Sequence, residues 1–137
     1  MYLSTVDEVD PEAYFKANLI GGRVQYDVDL SGVGCGCITA VYNSLMPARD
    51  SNSDPFKYCD ANQVGGSWCP EYDIMEANKW AFRTVGHACE EPDSFGVYPS
   101  CDRGGKGYTD VLLDAPFESY GPGAAYTINT ELPFTVT

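Results

Sequence analysis

Glu71, Asp73 and Glu76 place three carboxylates within six positions, in the run Glu71-Tyr72-Asp73-Ile74-Met75-Glu76-Ala77. With 20 Asp and Glu in 137 residues, an acid triple of this spacing also arises by chance. The interleaved Tyr72, Ile74 and Met75 set this one apart, because they predict a strand with a buried side and not a solvated acidic run. Side chains on a strand alternate, so Glu71 and Asp73 share a face. Glu76 follows Glu71 by five positions and in a regular strand points the other way. The adjacent apolar pair Ile74 and Met75 breaks the alternation, and a β-bulge there returns Glu76 to the face of Glu71 and Asp73. Three like charges on one face repel, so at least one of these carboxyls is expected to titrate high. One carboxyl kept protonated beside one kept ionised is what retaining glycoside hydrolysis requires. The same residues also fit a solvated acidic strand, or a calcium site, since hard cations take several carboxylate oxygens.

The elements around this segment read as short strands. Gly22 to Leu30 is the clearest: Val24, Tyr26, Val28 and Leu30 alternate with Arg23, Gln25, Asp27 and Asp29. Thr39 to Asn43, Glu71 to Met75, Asp110 to Leu113, Ala125 to Thr130 and Phe134 to Thr137 are further candidates. Turn-rich stretches lie between them, at Pro47 to Pro55, Asn62 to Ser67, Pro92 to Gly107 and Tyr120 to Gly123. Asp10-Pro11-Glu12 predicts a capped short helix through Leu19. Strands at this spacing predict an all-β, antiparallel sandwich, and the length suits one domain over residues 1–137.

Composition narrows the partners. Eight Lys and Arg against 20 acids give a net charge of −12, which argues against nucleic acid and anionic membranes and suits a neutral polymer. No apolar run approaches the ~20 residues needed to span a bilayer, and Met1-Tyr2-Leu3-Ser4 lacks the form of a signal peptide. There is no Asn-x-Ser/Thr acceptor. Six cysteines in so short a chain predict disulfides and an oxidising, extracellular compartment, with 15 pairings open. Cys35-Gly36-Cys37 is too tight for zinc, no Cys-x-x-Cys occurs and His87 is the only histidine, so neither metal nor cofactor is expected. A bond between Cys35 and Cys37 would be strained.

Glu71-Tyr-Asp-Ile-Met-Glu-Ala-Asn78 resembles the active-site signature of glycoside hydrolase family 7, the fungal-type cellobiohydrolases and endoglucanases, of form Glu-Met-Asp-x-x-Glu-Ala-Asn. Other stretches have counterparts there in the same order: Tyr26-Asp-Val-Asp-Leu-Ser31, Cys35-Gly36, Tyr58-Cys-Asp-Ala61, Gly66-Ser-Trp-Cys69, Gly86-His-Ala-Cys89, Tyr120-Gly-Pro-Gly123 and Pro133-Phe-Thr-Val136. The resemblance implies a concanavalin-like jelly roll and a secreted β-1,4-glucan (cellulose) hydrolase. It implies Glu71 as nucleophile, Glu76 as general acid/base and Asp73 as the carboxylate that assists. It places His87 beside the acids, and Tyr42, Tyr58, Asp60 and Asn62 along the glycone side of the cleft. The family has Gln at the position of Asn62. The resemblance further implies the bridges Cys59–Cys69 and Cys89–Cys101; two more family bridges have lost both halves, with Trp68 standing where one half would be. The family partner of Cys35 lies in a C-terminal half that is absent, and Cys37 is an addition. The main family tryptophan platforms also lie outside the matched segment, leaving Trp68 and Trp80 open between core and platform.

Glycoside hydrolase family 16, the laminarinase and lichenase group, shares the sandwich and a Glu-x-Asp-x(-x)-Glu strand; the cysteines, Ala77-Asn78 and Tyr120-Gly-Pro-Gly123 favour family 7. Family 7 domains are much longer, and the stretch between Cys59 and Ser67 is shorter in this chain than is usual. That predicts an open, endo-type cleft, and exposed faces covered by further sequence or another chain. A non-catalytic, glycan-binding or structural relative is the rival expectation.

Overall fold

The computed structural model describes residues 10–108 and 117–137; the strand expected over Asp110 to Leu113 lies outside them. The architecture is all-β. Among the described residues eight short strands are joined by turns: β1 (Tyr26–Val28), β2 (Thr39–Ser44), β3 (Glu71–Ala77), β4 (Phe82–His87), β5 (Lys106–Tyr108), β6 (Tyr120–Gly121), β7 (Ile128–Asn129) and β8 (Phe134–Val136). The sheet that carries β3 has the order β2-β3-β4-β5, and β1 pairs with β8 antiparallel. Four residues join β3 to β4, a connection only an antiparallel hairpin can make. β6 and β7 form a small parallel pair, a local departure from the antiparallel expectation.

The chain divides into two compact units that interleave in sequence. The first comprises Met1–Ala17, Asn43–Tyr72 and Gly86–Lys106. The second comprises Asn18–Tyr42, Asp73–Val85 and Gly107–Thr137. The core of the second unit is Leu30, Met75, Ala77 and Tyr120, with Tyr26, Val28, Phe82, Phe134 and Val136 packed on it. The alternation read over Val24 to Leu30 appears in burial, although regular pairing is confined to Tyr26–Val28, opposite Phe134–Val136. The Thr135 hydroxyl donates to Asp27 Oδ1 at 2.6 Å across that pair. The first unit has a smaller core, of Ala48 and the buried Cys59–Cys69 bridge with Met46 against it.

The helix expected from Asp10 to Leu19 is reduced to one 3-10 turn, Pro11–Ala13. Its start is as expected, with Asp10 capping the Glu12 N–H at 2.9 Å. It does not propagate because its apolar stripe finds no core: Phe15 is 57% and Leu19 44% exposed, and a helix this short lasts only by burying such a face. Among the described residues no helix is long and apolar enough to cross a membrane. Several large apolar side chains stand in solvent, Ile20, Val64 and Phe95 most of all.

Tyr120 ties the second unit together. Phe82 and Phe134 each meet its ring edge-on, with centroids 6.0 Å away, and its hydroxyl donates to the Asn78 carbonyl at 2.7 Å. Burial pushes the phenol up to about 12. A folded-state value raised above the unfolded one of about 10 means that the neutral form supports the fold. This contribution is complete below pH ~10 and is lost as pH rises toward 12. Tyr120→Phe keeps the ring contacts and drops one hydrogen bond. The expected cost is about 1 kcal/mol at neutral pH, and urea melts of both proteins should converge as the pH passes from 10 to 12.

Candidate active site

Glu71, Asp73 and Glu76 all lie on β3, as the sequence predicts. Burial along the strand alternates without a break: Asp73, Met75 and Ala77 are buried, Tyr72 is exposed, and Ile74 and Glu76 are half-buried. That is the pattern of a strand with no inserted residue, so the bulge expected at Ile74 and Met75 leaves no mark in burial. In this alternation Glu71 shares parity with Asp73, and Glu76 does not.

In the first unit, Glu71 is held by the loop before β3. Its Oε2 accepts the backbone N–H of Ala61 at 2.8 Å, which fixes the carboxylate against a rigid donor. The loop is rigid for traceable reasons. The Cys59–Cys69 bridge closes it, and the Cys69 N–H donates to the Asp60 carbonyl at 3.1 Å. The Asp60 carboxylate is buried and accepts from the N–H groups of Asn62 and Val64, at 2.9 and 3.0 Å. Asp60 therefore shapes the turn that presents Ala61, an Asx-type use of the side chain. Tyr58 is half-buried beside it and its carbonyl accepts from Asn52 Nδ2 at 3.1 Å. Asn52 Nδ2 also reaches Ser67 Oγ at 2.7 Å, and Ser67 in turn donates to Asp50 Oδ1 at 2.6 Å. Asn62 is exposed at the rim of the loop.

His87 ends β4 and is buried. Its Nδ1 lies 2.8 Å from the Asp102 carbonyl. A carbonyl only accepts, so Nδ1 carries the hydrogen in this contact. The second bridge, Cys89–Cys101, follows at once. It borders a half-open pocket of about 440 Å³ into which Glu90, Ser100, Asp102 and Lys106 bring polar groups. Trp68 lies under the Arg103 guanidinium, 5.0 Å from the ring centroid.

In the second unit, Asp73 is buried and Glu76 meets Arg83 of β4, with Oε2 3.2 Å from Nε. Arg83 Nε is buried and makes no well-aligned hydrogen bond, so the contact is one of charge more than of directed bonding. Counting outward from the turn, where the Asn78 N–H donates to the Ala81 carbonyl, puts Glu76 opposite Arg83 across the hairpin. Asn78, the last residue of the signature, builds that turn: its Oδ1 accepts from the N–H groups of Trp80 and Ala81 at 2.8 and 3.0 Å. The buried Thr130 hydroxyl anchors the next residue, donating to the Lys79 carbonyl at 2.8 Å. Tyr42 on β2 is exposed, as is Trp80. Cys35 and Cys37 are free and exposed. Among the described residues no three His, Cys, Asp or Glu side chains gather as a metal group.

The sequence did not point to Ala61 or Arg83 as contacts of the two glutamates. The hairpin register would have located Arg83 had β4 been recognised.

No family model matches the chain. It is 30% identical over 160 residues to endoglucanase type C of Fusarium oxysporum, covering 95% of this chain and 37% of that protein. The endocellulase EGI structure from Humicola insolens superposes with a TM-score of 0.62 at 29% identity, over 81% of this chain and 35% of that one. A family 7 cellobiohydrolase from Daphnia pulex superposes with a TM-score of 0.58 over the same 81%, at 21% identity, a likeness of fold alone. The all-β, antiparallel class expected of a jelly roll is therefore the class observed. The chain spans little more than a third of the length of these relatives. Within that span, the signature strand, the two bridges and the fold agree with the resemblance to glycoside hydrolase family 7.

Proposed function

We propose that this chain carries the catalytic strand of a retaining β-1,4-glucan hydrolase that acts in the endo mode on cellulose-type chains in an extracellular setting. The supporting observation is the pair Glu71 and Glu76 on β3, in a chain similar to proteins named endoglucanase and endocellulase. Glu71 attacks the anomeric carbon while Glu76 protonates the glycosidic oxygen, so the C–O bond to the leaving sugar breaks as the bond to Glu71 forms. Glu76 then takes a proton from water, which displaces Glu71 and frees the product. Ala61 aims Glu71 by its N–H group, and Asp73 serves as the assisting carboxylate. His87, Tyr42, Tyr58, Asp60 and Asn62 are proposed to line the sugar path, Asp60 through the turn it shapes. No cofactor is invoked. The two bridges fit an oxidising compartment.

The ion pair and the parity of Glu76 favour a second reading, a glucan-binding relative without turnover. Reducing-end release separates the two. Activity on a soluble β-1,4-glucan, with little on β-1,3-glucan, supports the hydrolase. Retention on cellulose with no sugar release supports the binding protein, and cleavage of β-1,3 or mixed linkages points to a family 16-like specificity.

A further inference from the structure

We infer that Asn52 is a positioning residue for Glu71, clamping the loop whose Ala61 N–H holds that carboxylate. The inference rests on the reading of Glu71 as the nucleophile and moves one step outward, from the acid to what keeps its donor in place. The loop from Tyr58 to Ser67 doubles back on itself. Its two limbs touch at Tyr58 and Gly65: a Cβ added at Gly65 would stand 2.6 Å from the Tyr58 carbonyl oxygen, an approach that only glycine allows. The Cys59–Cys69 bridge ties the base of the loop. Asn52 comes from the chain before it and joins the limbs a second time. Its Nδ2 donates to the Tyr58 carbonyl at 3.1 Å on one limb and to Ser67 Oγ at 2.7 Å on the other, with the Gly65 carbonyl a longer 3.5 Å away. The two hydrogens of one amide group thus go to opposite sides of the loop. Between those ties lies Ala61, fully buried, donating to Glu71 Oε2 at 2.8 Å.

Asn52 is itself held at every polar atom. Its Oδ1 accepts from the Asp54 N–H at 3.0 Å, its N–H donates to Asp50 Oδ1 at 3.2 Å, and its carbonyl accepts from Lys57 Nζ. The buried Ser67 donates its own hydrogen to the same Asp50 oxygen at 2.6 Å, which leaves a lone pair of the hydroxyl for Asn52. Removing the Nδ2 donors takes away the partner that the two limbs share, while the bridge still closes the base. The loop then stays folded, but the Ala61 N–H is no longer fixed against Glu71. A misplacement of about 1 Å in a reacting group can cost up to ~100-fold in rate.

The test combines kinetics on a soluble β-1,4-glucan with hydrogen exchange of single amides, in the full chain and under conditions where each variant is folded. In Asn52→Ala we expect kcat to fall about tenfold with KM within about twofold of the parent, because the loss is of alignment and not of sugar binding. Protection of the Ala61 amide should fall about tenfold. The Thr130 amide, which donates to the Gly121 carbonyl at 3.0 Å in the second unit, should keep its protection. Asn52→Asp retains the acceptor for the Asp54 N–H and loses both donors, so it should behave as Asn52→Ala does. Ser67→Ala removes one of the two tied groups and should give a smaller loss of the same kind. These two variants decide the matter if Asn52→Ala does not fold. The assignment is overturned if kcat or Ala61 protection is unchanged, if KM rises while kcat holds, or if Thr130 loses protection as much as Ala61 does. A parent that releases no sugar would remove the hydrolase reading instead, and Ala61 exchange would then decide the clamp by itself: a selective loss of protection upholds it and an unchanged rate overturns it.

Discussion

Glu71→Gln and Glu76→Gln are each expected to reduce hydrolysis of a soluble β-1,4-glucan by about three orders of magnitude or more. Glutamine has the shape of the acid it replaces and its amide oxygen can still accept the Ala61 N–H, so the loss reports chemistry and not unfolding. An aryl cellobioside with a nitrophenolate leaving group distinguishes the two roles. Such a group departs without a proton, so Glu76→Gln should still release a burst of nitrophenol, whereas Glu71→Gln lacks the nucleophile and should release none. Asp73→Asn should leave weak activity, because the assisting group neither attacks nor donates. Near-full glucan hydrolysis by either glutamine variant would strip that residue of its proposed role.

Removing the Cys59–Cys69 bridge by a double Ser substitution should cost about 3 kcal/mol of stability, the loop-closure value for a separation of 10 residues. Both cysteines are buried in the small core of the first unit, and serine hydroxyls there add to the cost. The consequence reaches the chemistry through one contact, since the freed loop carries the Ala61 N–H that holds Glu71. Removing Cys89–Cys101 should cost a similar amount of stability, having a separation of 12, without touching that contact. Urea midpoints should therefore fall alike in the two double variants, while kcat falls further in the first. Equal loss of kcat in both would mean that the Ala61 contact does not position Glu71.

Sequence patterning located the elements whose packing is local and simple. The Val24 to Leu30 alternation and the strand beginning at Phe134 could be read because one face is apolar and the other polar, and β3 because Tyr72, Ile74 and Met75 interleave its acids. β4 could not, because only Val85 and His87 of its residues are buried, and one of these two is polar. β5 fell inside a stretch that reads as turns from Pro92 to Gly107, and the Asp10 helix had a start signal with no core for Phe15 and Leu19 to join. The site divides in the same way. Its three acids follow from spacing on one strand, but the groups that hold them are set by pairings a linear pattern does not contain. Ala61 reaches Glu71 across a disulfide-closed loop and Arg83 reaches Glu76 across a hairpin. Asn78, met in the sequence as part of a signature, turns out to build the turn between β3 and β4.

The most direct test of retaining hydrolysis by the two glutamates of β3 is the anomeric form of the first sugar released, followed by proton NMR as the chain cleaves a soluble cello-oligosaccharide. Attack by Glu71 and then by water inverts the anomeric carbon twice, so the β-anomer should appear first and mutarotate to the mixture. First release of the α-anomer would show a single displacement and exclude Glu71 as nucleophile, and no release at all would leave the glucan-binding reading in its place.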